Sequence, residues 1–393
     1  MPWKEVCTVE LRERLVRAVL ENRTSVAALC RRAGVARKTA YKWLKRYNAE
    51  GLAGLSDQSR ARLTQDGASS QRVVDLIVET RTQHPTWGAK KILPFLTREH
   101  PRMALLCLST VSAIISREGL AVYHKTTPRR KSVLLPGGTP AFPNQIWTID
   151  FKGQFLLGCR ALCYPLTVVD AFSRFILCID AKPSTHSEPV RMSMVRLFNE
   201  HGLPERIRSD NGSPFASSGL GGLSKLGVYF LQFDIELERI PPGKPGYNGS
   251  HERMHRTLKA EAARPPSESM AAQQRRFNAF RHEYNTIRPN EAIGQKTPSK
   301  LFRVSKRQFQ EPVPDDDTYP GHWERRNVKK TGCITWRSER VYISEALAGR
   351  TVGLVEVEED IWQLNYRRHL IATLDERSKV PTVKDVFRQR QIS

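Results

Sequence analysis

The chain of 393 residues is too long for one hydrophobic core and predicts two to four domains. Its hydrophobic content of 39% and aromatic content of 8% exclude a mostly disordered chain. The net charge of +23, of which residues 1–142 carry +14, indicates a nucleic-acid-binding protein rather than a merely soluble basic one.

The sequence also argues against a membrane protein. No apolar run approaches the roughly 18 to 20 residues that a membrane helix needs. The first residues contain acid and do not have the pattern of a signal peptide. We therefore expect a cytoplasmic protein with no membrane partner.

Residues 8–48 show the apolar spacing of three short helices. Thr24 or Ser25 can cap the second helix, Gly34 ends it, and a third helix is predicted over 36–47. The outer face of the third helix is predicted to carry Arg37, Lys38, Tyr41, Lys42 and Lys45. This is the helix-turn-helix pattern, whose second helix enters the DNA major groove. A plain helical bundle with a solvated basic face is the alternative.

A second helical unit follows residues 51–62, a turn-rich basic stretch that is predicted as a linker or small wing. Apolar residues mark one helix near 73–77 and another near 84–96. Ser109 or Thr110 is expected to cap a third helix. We predict a second helix-turn-helix here, and two such modules indicate a long DNA site that is read in two places.

Residues 123–142 contain Arg129, Arg130 and Lys131 among prolines and glycines, without apolar periodicity. They are predicted as an extended basic linker that can run along DNA phosphates. A simple spacer fits the same composition, so both interpretations stay open.

From residue 143 the pattern changes to alternating strands and helices. The predicted strands cover 144–153, 160–170, 175–180, 206–209 and 235–240, and the predicted helices include 188–201, 251–263 and 269–284. The glycine-rich residues 219–227 are expected to be mobile, residues 241–246 form a rigid proline loop, and Asn248 or Ser250 caps the helix that follows. This order predicts an α/β domain with a mixed sheet.

The region after residue 307 contains an acidic loop, residues 315–317, and then evenly spaced strand-like runs. The runs cover 333–336, 340–343, 351–357, 361–366 and 369–374. Their spacing predicts a small β-barrel followed by a tail from about residue 383. A net charge of only +1 over 307–393 leaves protein contacts and DNA contacts equally open.

The seven cysteines are odd in number and scattered. Only Cys159 and Cys163 are close together, and no second cysteine or histidine pair accompanies them at zinc spacing. We predict reduced, mostly buried thiols rather than a structural metal site.

Three carboxylates stand out by their local context. Asp150 lies inside an apolar strand, so it needs either a salt bridge or a bound metal. Asp210 ends a strand at an Asn-Gly turn, and Glu252 lies in the first turn of a helix. Magnesium takes oxygen ligands, usually a few carboxylates together with phosphate oxygens. Two such ions can activate the attacking oxygen and stabilise the leaving oxygen in phosphodiester cleavage and strand transfer.

The segments around these residues resemble the three signature segments of the DDE transposase and retroviral integrase core. They are residues 147–151 (Trp-Thr-Ile-Asp-Phe), 209–215 (Ser-Asp-Asn-Gly-Ser-Pro-Phe) and 252–259 (Glu-Arg-Met-His-Arg-Thr-Leu-Lys). Residues 284–298 resemble the end of that core in bacterial insertion-sequence transposases. The similarity covers about 143–306, and the N-terminal modules resemble transposase heads loosely.

The resemblance implies an RNase H-like catalytic core. It makes Asp150, Asp210 and Glu252 the catalytic residues and the ligands of two Mg²⁺ ions, for which Mn²⁺ can substitute. It also makes Lys259 a DNA contact, nearly two helical turns after Glu252 on the same face. Arg256 is predicted to contact DNA or to pair with a core acid.

Two departures from the family pattern leave these carboxylates untouched. The 41 residues between Asp210 and Glu252 exceed the usual interval, and we place the excess at 219–227 as a loop insertion. The zinc-binding N-terminal module of retroviral integrases has no counterpart, which fits the bacterial branch.

Other polar residues in this region have ordinary interpretations. Asp170 is predicted to form a turn and Asp180 to be a strand-end group, although either could assist the metal site. His255 is predicted on the helix surface, with an approach to phosphate as the alternative. Asn211 either hydrogen-bonds in the site or only forms the turn.

The sequence thus predicts an insertion-sequence transposase that binds terminal inverted repeats, cleaves at the element's ends and joins the 3′-hydroxyls to target DNA. The predicted parts are a helix-turn-helix domain (1–60), a second helical domain (61–122), a basic linker (123–142), the catalytic core (143–306) and a β-rich domain with a tail (307–393). A dimer or tetramer on double-stranded DNA is expected, because two ends must be held together. A catalytically silent DNA-binding regulator and a metal-dependent nuclease without strand transfer are the alternatives.

Overall fold

The computed structural model describes residues 7–57, 69–103, 106–122, 138–217, 222–240, 249–311, 319–377 and 382–385. The chain divides into two compact units, Met1–Ser69 and Ser70–Ser393. Within the described residues, no helix combines the length and the apolar composition that crossing a bilayer requires. The basic residues Arg129, Arg130 and Lys131, the proline loop 241–246 and the acidic loop 315–317 lie outside the described residues.

The first unit is the predicted three-helix module. Its helices are α1 (Thr8–Leu20), α2 (Val26–Ala33) and α3 (Arg37–Glu50). Ser25 caps α2 by accepting a hydrogen bond from the Ala28 amide, as predicted. The expected linker is partly wrong, because Gly51–Leu55 forms a 3₁₀ turn whose Leu55 is fully buried with Val16 and Trp43.

The second unit begins with α4 (Gln71–Gln83), α5 (Ala89–Glu99) and α6 (Leu108–Arg117), which pack around Trp87 and Ile114. The expected cap at Ser109 or Thr110 is wrong, since α6 begins at Leu108 after Cys107. Both hydroxyls lie 3.0 Å from the Cys107 sulfur instead.

The predicted catalytic-core region is built on a six-stranded mixed sheet. Its strands are β1 (Ile146–Phe151), β2 (Phe155–Leu156), β3 (Leu162–Asp170), β4 (Ile176–Lys182), β5 (Arg206–Ser209) and β6 (Glu236–Arg239). Strand β1 is central, antiparallel to β3 and parallel to β5, and β5 is parallel to β6. The predicted strand order is therefore confirmed, with the two-residue β2 as an addition.

Helices cover both faces of this sheet. They are α7 (Ser187–His201), α8 (Lys225–Gln232), α9 (Gly249–Glu261), α10 (Met270–Thr286) and the short α11 (Pro298–Leu301). Trp147 and Ile149 of β1 pack with α7 and α8 on one face, whereas Met254 and Leu258 of α9 pack against the other. Because side chains alternate along a strand, Thr148 and Asp150 point to the α9 face.

The second helical module is held against the ends of α9 and α10. Arg288 forms an ion pair of 2.6 Å with Glu261, and its guanidinium lies 5.8 Å from the centre of the Trp87 ring. Lys91 donates a 3.0 Å hydrogen bond to the Pro289 carbonyl. The contacts of Arg288 with Trp87 and of Lys91 with Pro289 attach α4–α6 to the core, and the ion pair with Glu261 holds Arg288 in place from the core side.

The C-terminal strands do not form the predicted barrel. They are β7 (Glu324–Asn327), β8 (Cys333–Trp336), β9 (Glu339–Tyr342), β10 (Thr351–Glu358), β11 (Ile361–Tyr366), β12 (His369–Asp375) and β13 (Thr382–Asp385). Five form an open antiparallel sheet in the order β13-β12-β11-β10-β7, and β8-β9 is a separate hairpin. The hairpin packs on the sheet through Trp336 and Trp362, whose ring centres are 4.9 Å apart. The expected tail is partly wrong too, because residues 382–385 are the edge strand β13.

The glycine-rich segment between Asp210 and Glu252 is ordered where the structure describes it. Leu223 is buried, α8 begins at Lys225, and Gly227 packs inside that helix. Leu223, Val228 and Leu231 belong to the hydrophobic cluster of the C-terminal sheet. The prediction of a mobile loop insertion is therefore wrong for 222–227, because these residues join the core to the C-terminal region.

All seven cysteines are free thiols, as predicted. Only Cys30, Cys163 and Cys178 are buried, so the expectation of mostly buried thiols is wrong.

Candidate active site

Asp150 and Asp210 lie side by side because their strands are parallel neighbours. In the register of β1 with β5, Thr148 faces Arg208, so two residues further along Asp150 lies beside Asp210. The Asp150 side chain is 21% exposed, and Asp210 is exposed just after β5. Burial first, then the negative charge of Asp210, raises the pKa of Asp150 to about 7, and the charge of Glu252 adds to this.

The turn after Asp210 is shaped around its carboxylate. The Gly212 amide donates a 3.1 Å hydrogen bond to Asp210 Oδ1. A Cβ at position 212 would lie 3.2 Å from Asp210 Oδ2, so glycine leaves room for the carboxylate. Asn211 donates to the Ile240 carbonyl at 2.7 Å, which ties the turn to the end of β6.

Glu252 is brought to the two aspartates by α9. It lies in the first turn and is exposed, whereas the adjoining side of the helix, with His251 and His255, is buried. Its charge is felt at Asp150, where it helps to raise the pKa of that carboxyl. Three carboxylates that repel one another fit a divalent cation, which takes oxygen ligands and relieves the repulsion.

The prediction of His255 on the helix surface is wrong. His255 is 6% exposed and His251 is 2% exposed, because α9 seats this face on the sheet. The His255 Nδ1 atom lies 3.8 Å from Asp150 Oδ2. One ligand-type atom each from Asp150, His251 and His255 lies within 4.8 Å of the other two. Burial lowers the pKa of His251 to about 3 and that of His255 to about 2, so both rings are neutral.

Two threonines that sequence reasoning missed connect the histidines to the strands. Thr167 lies opposite Asp150 on β3, and its Oγ1 is 2.7 Å from the Nε2 atoms of both His251 and His255. Thr148 Oγ1 is 2.9 Å from His251 Nδ1. Thr148 could have been found from the two-residue strand period, since it shares the face of Asp150. Thr167 could be identified only from the register of β1 with β3.

The remaining acids of the sheet have protein partners. Asp170 is fully buried and accepts hydrogen bonds from the Ser173 and Asn144 amides at 2.7 Å, which confirms its predicted turn-forming role. Asp180 accepts from the Ser193 hydroxyl at 2.6 Å and from Arg196 at 2.8 Å. Both carboxylates are thus committed to holding the fold.

The predicted DNA-contacting residues are exposed wherever the structure describes them. Arg256 and Lys259 lie on the same exposed face of α9 as Glu252, and Arg256 has no ion pair with an acid in the described ranges. In the first unit, the exposed side chains of α3 include Arg37, Lys38, Tyr41, Lys42 and Lys45.

Family models match the two regions described above. Residues 140–245 and 233–298 match two models of an integrase core domain. Residues 11–62 match a helix-turn-helix domain, and residues 39–115 match a homeodomain-like domain. These matches confirm the predicted helix-turn-helix region and the predicted integrase core.

Two relatives are similar to parts of this chain. The chain is 27% identical to the insertion element IS407 uncharacterized 31.7 kDa protein of Burkholderia multivorans, over 48% of this chain and 72% of that protein. It is 30% identical to the Pol polyprotein of Radiation murine leukemia virus, over 30% of this chain and only 19% of the polyprotein.

Solved structures with some similarity come from retroviruses. One is the simian T-cell lymphotropic virus intasome in complex with PP2A regulatory subunit B56 gamma, with 16% identity and a TM-score of 0.37 over 80% of this chain and 96% of that chain. Another is the HTLV-2 integrase catalytic core domain in complex with magnesium, with 17% identity and a TM-score of 0.33 over 42% of this chain and 99% of that chain.

Proposed function

We infer that the chain is an insertion-sequence transposase of the integrase superfamily, and therefore a polynucleotidyl transferase, and we propose a specific reaction for it. The protein binds the terminal inverted repeats of a mobile element, cleaves at the element's ends and joins the freed 3′-hydroxyls to target DNA. The observation that carries the proposal is the convergence of Asp150, Asp210 and Glu252. The pKa of Asp150 rises to about 7 first through burial and then through the negative charge of Asp210, and the charge of Glu252 adds to this.

In this proposal the three carboxylates hold two Mg²⁺ ions, for which Mn²⁺ can substitute. The ions supply activation of the attacking oxygen and stabilisation of the leaving oxygen in an in-line displacement. Asp150 is fixed by β1 and Asp210 by the turn at Gly212, so these two ligands are positioned before DNA arrives. Glu252, in the first turn of α9, is the third ligand.

The basic residues deliver DNA to this site in the proposal. Arg256 and Lys259 share the exposed face of Glu252 and contact the DNA backbone beside the reacting phosphate. The exposed face of α3 reads the inverted repeat, and residues 129–131 neutralise DNA phosphates. Two ends must be joined together, so the active form is a dimer or tetramer on DNA.

The test is a strand-transfer assay with a labelled element end and a plasmid target. The proposal expects joined products with the wild type and neither cleaved nor joined products with Asp150→Asn, which should still bind the labelled end. Cleavage without joining would instead establish a nuclease. End binding without any cleavage, under Mg²⁺ and Mn²⁺ alike, would establish a silent regulator.

A further inference from the structure

We propose that His255 donates the Nδ1 lone pair to the cation site at Asp150, and that the Thr167 hydroxyl orients the ring for this role. This inference rests on the proposed function, because it adds a nitrogen atom to the three carboxylates of that site. It gives the site a mixed donor set, which changes the metals that the site prefers.

The hydrogen bonds of Thr167 determine which nitrogen of His255 carries the proton. A hydroxyl has one hydrogen to donate and two lone pairs to accept with. Thr167 Oγ1 contacts the Asp150 carbonyl at 3.0 Å, and this oxygen can only accept. The single hydrogen of Thr167 is therefore used there, and both histidines must donate from Nε2 to its lone pairs.

His251 has no lone pair left for a cation. Its Nε2–H is committed to Thr167, and its Nδ1 accepts from the Thr148 hydroxyl at 2.9 Å. Thr148 Oγ1 is also 3.2 Å from the Val169 carbonyl, but a neutral His251 with its proton on Nε2 has none on Nδ1, so the hydrogen in the contact with the ring must come from Thr148. His251 thus anchors α9 to β1 and β3 as a positioning residue.

His255 differs from His251 at its second nitrogen. With the proton on Nε2, its Nδ1 carries a lone pair that faces Asp150 Oδ2 at 3.8 Å. When Asp150 is ionised, its oxygen and this lone pair repel each other, and a cation shared between them relieves the repulsion. A divalent ion held by Asp150 fills this role, and two ligands of one ion can be separated by such a distance.

An imidazole ligand has a measurable consequence for metal choice. Carboxylate oxygens suit both Mg²⁺ and Mn²⁺, whereas an imidazole nitrogen favours Mn²⁺ over Mg²⁺. We therefore expect loss of the His255 ring to raise the dissociation constant for Mn²⁺ by about tenfold, with a smaller change for Mg²⁺.

The test is pulsed electron paramagnetic resonance of the full chain loaded with Mn²⁺, which detects nitrogen bound to the ion. The wild type should show nitrogen coupling, His255→Leu should lose it, and His282→Gln, at an exposed histidine on α10, should keep it. Thr167→Ser retains the hydroxyl and should keep the coupling, whereas Thr167→Val keeps the shape and should weaken or lose it. Hydrogen exchange establishes that each variant is folded.

The outcomes separate this inference from the proposed function. Mn²⁺ bound in an Asp150-dependent way but without nitrogen coupling would overturn the role of His255 and leave the carboxylate site standing. Nitrogen coupling that survives in His255→Leu would also overturn it. Failure of the wild type to bind Mn²⁺ in the presence of an element end would overturn both.

Discussion

Replacing Asp150 with asparagine should stabilise the metal-free protein above neutral pH, although the change removes a proposed ligand. The pKa of Asp150 rises from 3.8 to about 7, first through burial and then through the nearby acids. A group whose pKa is raised on folding contributes stability below the unfolded pKa and loses it as the pH rises through the folded pKa. Asparagine does not ionise, so it escapes this loss.

The size of the effect follows from the two pKa values. The folded state binds the proton of Asp150 more tightly than the unfolded state does, because the pKa is about 7 in the folded state and 3.8 in the unfolded state. At about 1.36 kcal/mol for each tenfold change in proton affinity, the ionised carboxylate costs about 4 kcal/mol at pH 8. At pH 5 the cost is about 2 kcal/mol, because the folded carboxyl is still protonated there.

The assay is urea unfolding of wild type and Asp150→Asn in the presence of a chelator, with hydrogen exchange of β1 as the local readout. The variant should be more stable at pH 8 by about 4 kcal/mol, and this advantage should shrink by about half at pH 5. Saturating Mg²⁺ should stabilise only the wild type. An advantage that is equal at both pH values, or a less stable variant at pH 8, would refute the electrostatic reasoning.

Three further predictions concern the surroundings of the site. Burial lowers the pKa of His251 to about 3 and that of His255 to about 2, so the free energy of unfolding should fall below about pH 6.5 by about 1.4 kcal/mol per pH unit for each ring. Thermal melting of Asp150→Asn between pH 7 and pH 5 measures this fall without the opposing effect of the carboxylate. A melting temperature that does not change over this range would contradict the prediction. Gly212→Ala should lower the rate of strand transfer about tenfold without changing the unfolding midpoint, because the new methyl group would crowd the Asp210 carboxylate. An unchanged rate would show that the turn accommodates the methyl group. Arg288→Ala removes the ion pair of the half-buried Glu261 and the guanidinium that lies beside Trp87, and it should cost about 3 kcal/mol, seen as faster hydrogen exchange of helices α4 to α6. Protection equal to wild type would mean that other contacts hold this module.

The three carboxylates could be predicted from sequence because each one carries a local signal. Asp150 interrupts an apolar strand, Asp210 precedes an Asn-Gly turn, and Glu252 opens a helix. Each signal lies within a few residues of the acid itself. Their nearness then follows from the parallel pairing of β1 with β5 and from the seating of α9.

The buried histidines could not be predicted from sequence, because their environment depends on how α9 is seated. His255 is followed by Arg256, and Met254 and Leu258 are the two apolar residues among the four buried ones of this largely polar helix. Only contact with Thr167, which lies 88 residues earlier in the chain, shows that this face is covered.

The arrangement of the C-terminal strands could not be predicted for a related reason. Evenly spaced short strands fit both a closed barrel and an open sheet covered by a hairpin. In the open sheet, Leu223 and Val228 of the core are buried against these strands. The C-terminal region thus completes its hydrophobic cluster with residues of α8 and the segment before it. This contact joins segments about a hundred residues apart, and no local pattern reports it.

The most direct test of the account is anomalous diffraction from crystals of the wild type with an element end and Mn²⁺. The account predicts an anomalous peak in contact with both Asp150 and Asp210, and a second one on the side of Glu252. Peaks at these carboxylates that vanish in Asp150→Asn would establish the site. Ordered Mn²⁺ elsewhere with none at Asp150 would contradict the central claim that these three acids form one metal centre.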